Sequence, residues 1–489
     1  GGNASFVVSA GDQIQTTKKK SPGKSEMTSE IEYTGYLSPD VLKSLPVATT
    51  VGNHDADNAN YTYHFNTPNS SDLGSNGVVG GDYYFTYGNT LFMMLNTQDT
   101  NAAEHKQFME QAIAANPNCT WRVVTLHQDI YGSAEHSNEP EITNLRYTLV
   151  PYFEANDVDV VLTGHDHAYS RTHILEGGHK TVEYTDDEFD AELDKDMDAG
   201  ENPATRYEAP ANISADSKEP ADVAYLNYLN AVMDKDAVED TEKGETVVNP
   251  DGILYMTANS SSGSKYYDLV PRMQSYIANR WQEDVPTYSV IDVTDNTFTI
   301  NTYRTDNDQK IDETFTIKKG VTEDIKSASV GNVKNQIYTG KQIQPAIKVT
   351  LNGKTLKAGK DYTVTYTDNK NTGLAKATIN GIGKYTGTQT VTFKIVPKKA
   401  VLKTVKAGKS GTATVTIGKA GGKVSGYAIQ VSTDSSFKKV TTYRTAKTTY
   451  TLKNLSKGKT YYVRVKAFTK VSDKNVYGAA SKTIKVKAK

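Results

Sequence analysis

The sequence is poor in cysteine, and Cys119 is the only one among 489 residues. A disulfide framework requires paired cysteines and a cysteine-based zinc site requires several, so both are excluded. Any metal site must therefore use histidine, aspartate, asparagine or glutamate side chains. The chain also lacks an uninterrupted run of about 18 apolar residues, so the sequence predicts no membrane span.

Charge of one sign is scarce in two long segments, although the formal net charge of the whole chain is only −2. Residues 181–245 contain 20 acidic residues against 5 basic ones, and residues 398–489 contain 20 lysines and 2 arginines against Asp434 and Asp473. This asymmetry indicates separate modules with separate surfaces, and the length alone predicts about three domains. We interpret residues 181–245 as an acidic surface insertion with a short helix near 224–233. A lid or a calcium site is the alternative, although EF-hand spacing is absent.

Short apolar runs alternate with helical spacing over the first part of the chain. The runs at 5–10, 47–51, 91–95, 122–126 and 158–162 are predicted strands, and residues 104–115 have helical spacing. Strands that alternate with helices indicate an α/β domain, which we assign to residues 1–318. Ligand sites in open α/β sheets form beyond the carboxyl ends of the strands, and polar residues cluster at those points here.

The helical signals stop near residue 320. Residues 325–396 alternate as short strands with Asn352-Gly353 and Asn380-Gly381 turns, which favour hairpins. Pro397 marks a linker, and residues 400–489 contain about seven strand-like runs at regular spacing. Both segments are predicted to be all-β sandwich domains without enzymatic function of their own.

Four polar segments begin where predicted strands end: Gly11-Asp12, Gly52-Asn53-His54-Asp55, His127, and Gly164-His165-Asp166-His167. A lone Gly-Asp or a lone histidine after a strand is usually structural, but the ordered set on consecutive α/β units favours a common site. Carboxylate, imidazole and amide oxygen are the ligands of a hydrolytic metal centre. Glycines allow the sharp turns that such a site needs.

The ordered set GD…GNHD…H…GHDH resembles the calcineurin-like metallophosphoesterases over about residues 1–318. The stretch GHDHAYSRT (164–172) is similar to the signature of the purple acid phosphatase branch. The resemblance implies a two-sheet β-sandwich flanked by helices. It also implies that His136, nine residues after His127, contacts the substrate. Residues 400–489 resemble a fibronectin type III domain, with Tyr461 as its corner tyrosine, and residues 325–396 resemble bacterial Ig-like modules.

The resemblance also implies a role for each residue of the set. Asp12 is expected to bridge two metal ions, with Asn53, His127 and His165 completing one of them and His167 binding the other. His54 is expected to face the substrate and protonate the leaving oxygen, while Asp55 orients the His54 ring. Two metal ions would activate a hydroxide for attack on phosphorus. Zinc, manganese or iron would serve, and Gln15, at the position of the tyrosinate ligand of purple enzymes, argues against a purple di-iron site.

The family normally opens with a further strand-end ligand motif, and no residue before Asp12 can supply it. We therefore expect the catalytic domain to be incomplete at its N-terminus and one metal to bind better than the other.

The sequence favours an enzyme that hydrolyses phosphate esters outside the cell. The alternative is a non-catalytic surface-binding protein that retains a degenerate fold. Expected partners are a small-molecule or nucleotide phosphate ester and, through the lysine-rich tail, a cell-wall polymer. We expect neither a membrane span nor sequence-specific nucleic-acid binding. The predicted location is secreted or cell-surface, in a Gram-positive bacterium.

Overall fold

The structure is a computed structural model that describes residues 4–16, 26–178, 180, 183–199, 214, 216–232, 234, 237–238, 246–271 and 273–489. The chain divides into two compact units, Gly1–Lys319 and Gly320–Lys489. None of the described helices combines the length and the apolar character that a bilayer crossing requires.

The first unit is built of strands and helices in alternation. Its strands are β1 (Val7–Ser9), β2 (Val47–Thr49), β3 (Tyr83–Tyr87), β4 (Thr90–Met94), β5 (Trp121–Thr125), β6 (Val160–Thr163), β7 (Tyr169–Leu175), β8 (Thr246–Val248), β9 (Ile253–Thr257), β10 (Ile277–Trp281), β11 (Thr287–Val293), β12 (Thr297–Arg304) and β13 (Phe315–Lys318). Its helices are α1 (Glu26–Tyr36), α2 (Asn60–His64), α3 (Ala102–Ala115), α4 (Pro140–Ala155), α5 (Asp186–Ala199) and α6 (Pro220–Val232).

A seven-stranded sheet in the order β10-β7-β9-β6-β5-β4-β3 forms the centre of this unit. Strands β4, β5, β6 and β9 are parallel to one another, and β3, β7 and β10 run antiparallel to their neighbours. The parallel strands are almost entirely buried, which explains why they read as continuous apolar runs instead of alternating ones. Their carboxyl ends lie at one edge of the sheet, where the polar segments follow.

Both faces of the central sheet are covered. One face packs against a four-stranded sheet, β11-β12-β13-β8, through a shared core that includes Trp121, Val160, Phe298 and Ile317. The other face packs against α3 and α4 through the cluster that contains Val124, Phe108 and Phe153. The predicted α/β fold of two sheets flanked by helices is therefore confirmed.

The acidic insertion contains more helix than the sequence indicates. Both α5 and α6 lie in it, and they pack through Phe189, Leu193 and Tyr228, which are all buried. The predicted helix near 224–233 corresponds to α6, which begins at Pro220. Tyr228 donates a hydrogen bond of 2.6 Å to Asp196, so a buried carboxylate ties the pair together. Residues 200–213 and 239–245 of the insertion lie outside the described residues.

The second unit is all β. Its strands are β14 (Glu323–Asp324), β15 (Ser329–Val330), β16 (Gln336–Ile337), β17 (Val349–Leu351), β18 (Lys354–Thr355), β19 (Tyr362–Thr367), β20 (Gly373–Gly381), β21 (Tyr385–Thr386), β22 (Thr388–Val396), β23 (Leu402–Ala407), β24 (Ala413–Ile417), β25 (Gly426–Ser432), β26 (Thr441–Thr445), β27 (Thr449–Leu452), β28 (Thr460–Val471), β29 (Lys474–Tyr477) and β30 (Ile484–Lys487).

These strands form two β-sandwiches, each with its own buried cluster. In the first, the sheets β16-β22-β20-β19 and β15-β17-β18 enclose a core around Val349, Ile379 and Phe393. In the second, β23-β24-β27 faces a five-stranded sheet of β26, β25, β28, β29 and β30 around Val415 and Val465. The predicted arrangement of two all-β domains after the α/β domain is confirmed.

A buried ion pair stabilises the first unit at β7. Arg171 donates to both carboxylate oxygens of Asp312, at 2.6 and 3.1 Å, and Tyr169 and Asn279 donate to the same group at 2.7 and 2.5 Å. Burial raises the pKa of Asp312, but the bonds from Arg171 outweigh it and hold this pKa below its usual range. The group is therefore ionised and fully bonded.

We expect Asp312→Asn to lower the free energy of unfolding by about 3 to 5 kcal/mol, because it leaves the Arg171 charge buried without a counter-charge. Urea unfolding monitored by tryptophan fluorescence gives the value. The matched control is Asp306→Asn, which removes a half-exposed partner of Arg304 and should change the stability much less. Equal effects of the two substitutions would contradict the role assigned to burial.

The corner tyrosine predicted at Tyr461 is confirmed, since the backbone amide of Ser456 donates to its hydroxyl at 3.0 Å. Removal of that acceptor by Tyr461→Phe should cost about 1 kcal/mol. The neighbouring Tyr462→Phe is the control, because the described residues show no hydrogen bond to its hydroxyl. Differential scanning calorimetry of the full chain measures both, and a larger effect at Tyr462 would refute the assignment.

Candidate metal centre

The short parallel pair of β1 and β2 brings the first two polar segments together. The last paired residues are Ser9 and Thr49, so both strands lead into their turns at the same level. Beyond the turns, the backbone amide of His54 donates to Asp12 Oδ1 at 2.9 Å. One hydrogen bond thus links the Gly-Asp segment to the Gly-Asn-His-Asp segment, which lies 42 positions along the chain.

Two glycines in these turns allow an approach that no other residue permits. A Cβ atom on Gly52 would lie 2.1 Å from Asp12 Oδ1, and one on Gly11 would lie 2.5 Å from His127 Nδ1. Gly11 also has a φ of 97°, in the region that favours glycine. The close contact between strand ends therefore requires glycine at both positions.

Three predicted ligands have a left-handed backbone, with φ of 53° at Asp12, 73° at His165 and 48° at His167. Such conformations cost of order 1 kcal/mol or more for residues other than glycine, and they cluster at functional sites. Most of the other described residues with a positive φ are Asn, Asp or Ser outside the site, whereas these three lie at predicted metal-binding positions.

Donor atoms from four predicted ligands converge. Asp12, His127 and His165 each offer a ligand atom, and these atoms lie within 4.8 Å of one another. His127 Nε2 is 3.3 Å from Asp12 Oδ2, 3.2 Å from His165 Nδ1 and 3.0 Å from Asn53 Oδ1. The set contains one carboxylate, one amide oxygen and two imidazoles, which suits zinc, manganese or iron.

A hydrogen bond behind the cluster fixes the histidine at its centre. His127 Nδ1 lies 2.7 Å from the carbonyl oxygen of Ala10, so this nitrogen carries a proton and donates it. In the neutral ring, Nε2 then presents a lone pair toward the other three donors. Without a metal ion, burial lowers the pKa of His127, but the Asp12 charge and hydrogen bond outweigh burial and raise it, so a proton on Nε2 takes the place of a cation among these donors. Outer-shell bonds of this kind are typical of metal-binding histidines. The residues present therefore fit a metal ion.

The electrostatics of the cluster agree with that interpretation. Burial raises the pKa of Asp12, but the charges of His127 and His54 outweigh it, so the pKa lies well below its usual range. For His165, burial and then the His127 charge lower the pKa to about 3, which leaves a neutral imidazole. A carboxylate and a neutral imidazole are the protonation states that bind metal.

His54 lies beside the cluster, with Nε2 at 4.0 Å from Asp12 Oδ2. Its Nε2 therefore lies on the side of the predicted metal ligand Asp12. Its Nδ1 is buried and forms no hydrogen bond with the part of the chain that the structure describes.

The role predicted for Asp55 is wrong. Its carboxylate accepts hydrogen bonds from Gly52 N at 2.9 Å, Tyr33 Oη at 2.8 Å and Gln13 N at 3.4 Å, and contacts nothing on the His54 ring. The turn folds Asp55 back, because its own amide donates to the Gly52 carbonyl. Burial, and then the Asp12 charge, raise the pKa of Asp55 to about 7. This residue holds the turn together and does not orient the histidine.

His167 lies apart from the four converging donors. Its Nδ1 is 3.1 Å from the Lys265 carbonyl oxygen, and its ring packs against Tyr267 with centroids 5.0 Å apart. His136 is nearer the cluster, with its ring centroid 5.8 Å from that of His165, and its Nδ1 bonds Glu139 at 2.6 Å. The structure thus gathers Asp12, Asn53, His127 and His165, and places His136 and His167 at their rim.

Two residues of that rim, Lys265 and Tyr267, are not among the predicted site residues. The Tyr267 ring lies edge-on to His136, with centroids 4.6 Å apart, and the ammonium of Lys265 lies 4.2 Å from the centre of the same ring. Both residues follow β9, which is parallel to β6 and ends at the same edge of the sheet. The strand-end rule that identified the other segments could have identified this loop too.

Comparisons with known proteins agree with the motif-based resemblance. Residues 1–169 match the family model of the calcineurin-like phosphoesterases, and residues 402–483 match that of the fibronectin type III domain. The uncharacterized proteins Rv2577 and MT2654, from two strains of Mycobacterium tuberculosis, are each 26% identical over 156 residues. This alignment covers 27% of the chain and 29% of each relative.

Among solved structures, purple acid phosphatase PPD1 from yellow lupin (Lupinus luteus) is similar at a TM-score of 0.35 and 13% identity, over 60% of this chain and 44% of that one. Values this low carry no functional argument, so membership of the purple acid phosphatase branch stays a prediction. The two family matches show that the chain carries a calcineurin-like phosphoesterase domain and, toward its C-terminus, a fibronectin type III domain.

Proposed function

We propose that the first unit hydrolyses phosphate esters with a metal ion held by Asp12, Asn53, His127 and His165. The observation that supports this proposal is the convergence of three donor atoms, from Asp12, Asn53 and His165, on His127 Nε2 at 3.0 to 3.3 Å. When bound, a metal ion supplies positive charge that polarises a phosphoryl oxygen and makes a water more acidic.

The residues around the donors have distinct tasks in this proposal. His54 gives a proton to the leaving oxygen, because imidazole is an effective acid near neutral pH and its Nε2 lies beside the donors, 4.0 Å from Asp12 Oδ2. His136, held by Glu139, contacts the substrate beside His165. Lys265 and Tyr267 form a cationic and aromatic wall beside it, suited to an anionic ester with an apolar leaving group.

We expect His54→Ala to lower kcat for p-nitrophenyl phosphate by about 100-fold or more, since a positioned general acid contributes factors of that order. The assay uses the full chain with added Mn²⁺, Zn²⁺ or Fe²⁺. His64→Gln is the matched control, because His64 bonds Glu30 at 2.9 Å on the α1–α2 side of the unit and can be replaced there by an amide. A metal-dependent parent activity that His54→Ala retains in full would contradict the role of His54.

Metal binding can be tested without activity. We expect isothermal titration with Zn²⁺ or Mn²⁺ to show one tight equivalent, because only four of the predicted donors converge. Asp12→Asn and His165→Gln should weaken it by more than about 100-fold, beyond the effect usual for outer-shell changes. His167→Gln should weaken it much less, because the His167 ring bonds Lys265 instead. If His167→Gln costs as much as His165→Gln, the proposed ligand set is wrong.

A further inference from the structure

The outward face of the five-stranded sheet in the last sandwich carries a row of cations. Strand register places Arg464 opposite Gln430 and Lys466 opposite Ala428, and Arg444 is opposite Ala428 on its other side. Lys485 and Lys487, on β30, pair with Tyr462 and Thr460 of the same strand as Arg464 and Lys466. We call the set Arg444, Arg464, Lys466, Lys485 and Lys487 the basic face.

Side-chain contacts agree with the register. Arg444 donates to the Tyr477 hydroxyl at 3.3 Å, and Arg464 donates to Gln430 at 2.7 Å. Burial raises the pKa of Tyr477, but its bonds from Arg444 and Asn475 and the charges of Arg444 and Lys466 lower it overall. A phenol of lowered pKa reports a positive local field, so the two cations act on one surface.

The arginines of this domain are confined to one sheet. Arg444 and Arg464 are the two arginines of residues 398–489, and both lie on the basic face. On the opposite sheet, the outward paired positions of β24 and β27 are all threonines: Thr414, Thr416, Thr449 and Thr451. On the neighbouring strand β23, Lys406 is paired with Thr414 and is the basic residue at the paired positions of this opposite sheet. At the paired positions, the basic face therefore carries arginine and lysine, and the opposite face carries mainly threonine.

The basic face has no counter-charge of its own. Within the described residues, none of its five cations forms an ion pair with a carboxylate. The two aspartates of the segment lie in the β25–β26 and β28–β29 connections of the same sheet, and Asp434 accepts hydrogen bonds from the amides of Ser436 and Lys438. Five uncompensated cations on one surface attract an anionic partner at long range.

We propose that the basic face binds a linear polyphosphodiester that lacks bases, such as a glycerol phosphate polymer. Neighbouring strands lie about 4.8 Å apart and alternate residues along a strand about 6.8 Å apart, so one extended chain contacts several cations at once. Arginine side chains match phosphate groups in a bidentate manner.

The rings of this surface disfavour nucleic acid, because single-stranded binding uses successive free aromatic platforms. Arg464 covers the Phe437 ring at 4.0 Å, and Tyr477 packs against Phe468 with centroids 5.7 Å apart. Tyr462 is the one outward ring without such a contact among the described residues. A single free ring does not provide a path for stacked bases.

The test measures binding of the full-length protein to soluble poly(glycerol phosphate), with a poly(dT) oligonucleotide as the competing class, by fluorescence anisotropy at several salt concentrations. The test variant replaces all five cations of the basic face by glutamine. The control variant replaces five exposed lysines outside it, Lys403, Lys406, Lys409, Lys447 and Lys453, by glutamine. Both variants change the net charge equally. If the fivefold variant does not fold, the milder double variant Lys485→Gln/Lys487→Gln provides the test.

We expect the parent to bind the polymer, with an affinity that falls as salt rises, and the basic-face variant to lose at least about tenfold in affinity and much of that salt dependence. The control should lose far less, and the milder pair should fall between them. The proposal is overturned if the parent does not bind, if the control loses as much as the test variant, or if poly(dT) binds as tightly as the polymer. Hydrolysis of p-nitrophenyl phosphate should be unchanged in both variants, so this outcome is independent of the proposed catalytic function.

Discussion

The convergence of lone-pair donors on His127 Nε2 is the constraint on which the catalytic unit depends. Such an arrangement needs a proton or a metal ion at its centre, and the backbone around it is built to enforce it. Glycine at 11 and 52 allows contacts that a Cβ would block, and the left-handed conformations of Asp12 and His165 aim their side chains inward. Each of these features costs stability. Their joint occurrence is understandable if binding of a metal ion offsets the cost.

A second buried network holds the loops behind that cluster. The Ser137 hydroxyl lies 2.6 Å from both Asp129 and Asp166, and the His136 amide donates to Asp166 at 3.1 Å. One hydroxyl proton cannot serve both carboxyl groups, so one of them must carry a proton. Burial, and then the Asp166 charge, raise the pKa of Asp129 well above its usual range. Asp129 is therefore the neutral acid, and Asp166 is the carboxylate that fixes the His136 backbone beside the donors.

The sequence predicted the parts of this site that follow a simple topological rule. Parallel strands end at one edge, so Asp12, Asn53, His127 and His165 could be expected to meet from their positions after apolar runs. The direction of each side chain could not be predicted in the same way. Asp55 turns back to Gly52 and His167 turns to the Lys265 carbonyl, because local hydrogen bonds decide those rotations. Lys265 and Tyr267 were missed because their loop combines serine, glycine and tyrosine in a pattern typical of any surface turn.

The two regions that we assign to phosphate chemistry use cations in physically different ways. The donors of the metal centre are mostly buried, where charges interact strongly because little water screens them. The side chains of the basic face are half-buried or exposed, so each contact with a phosphate is weak and the affinity depends on the number of contacts. Salt screens exposed charges over about 8 Å at physiological ionic strength and affects buried ones much less. Ionic strength therefore distinguishes the two proposed functions: attachment through the basic face would weaken as salt rises, while hydrolysis of a small ester at the buried centre would depend mainly on whether the metal is bound.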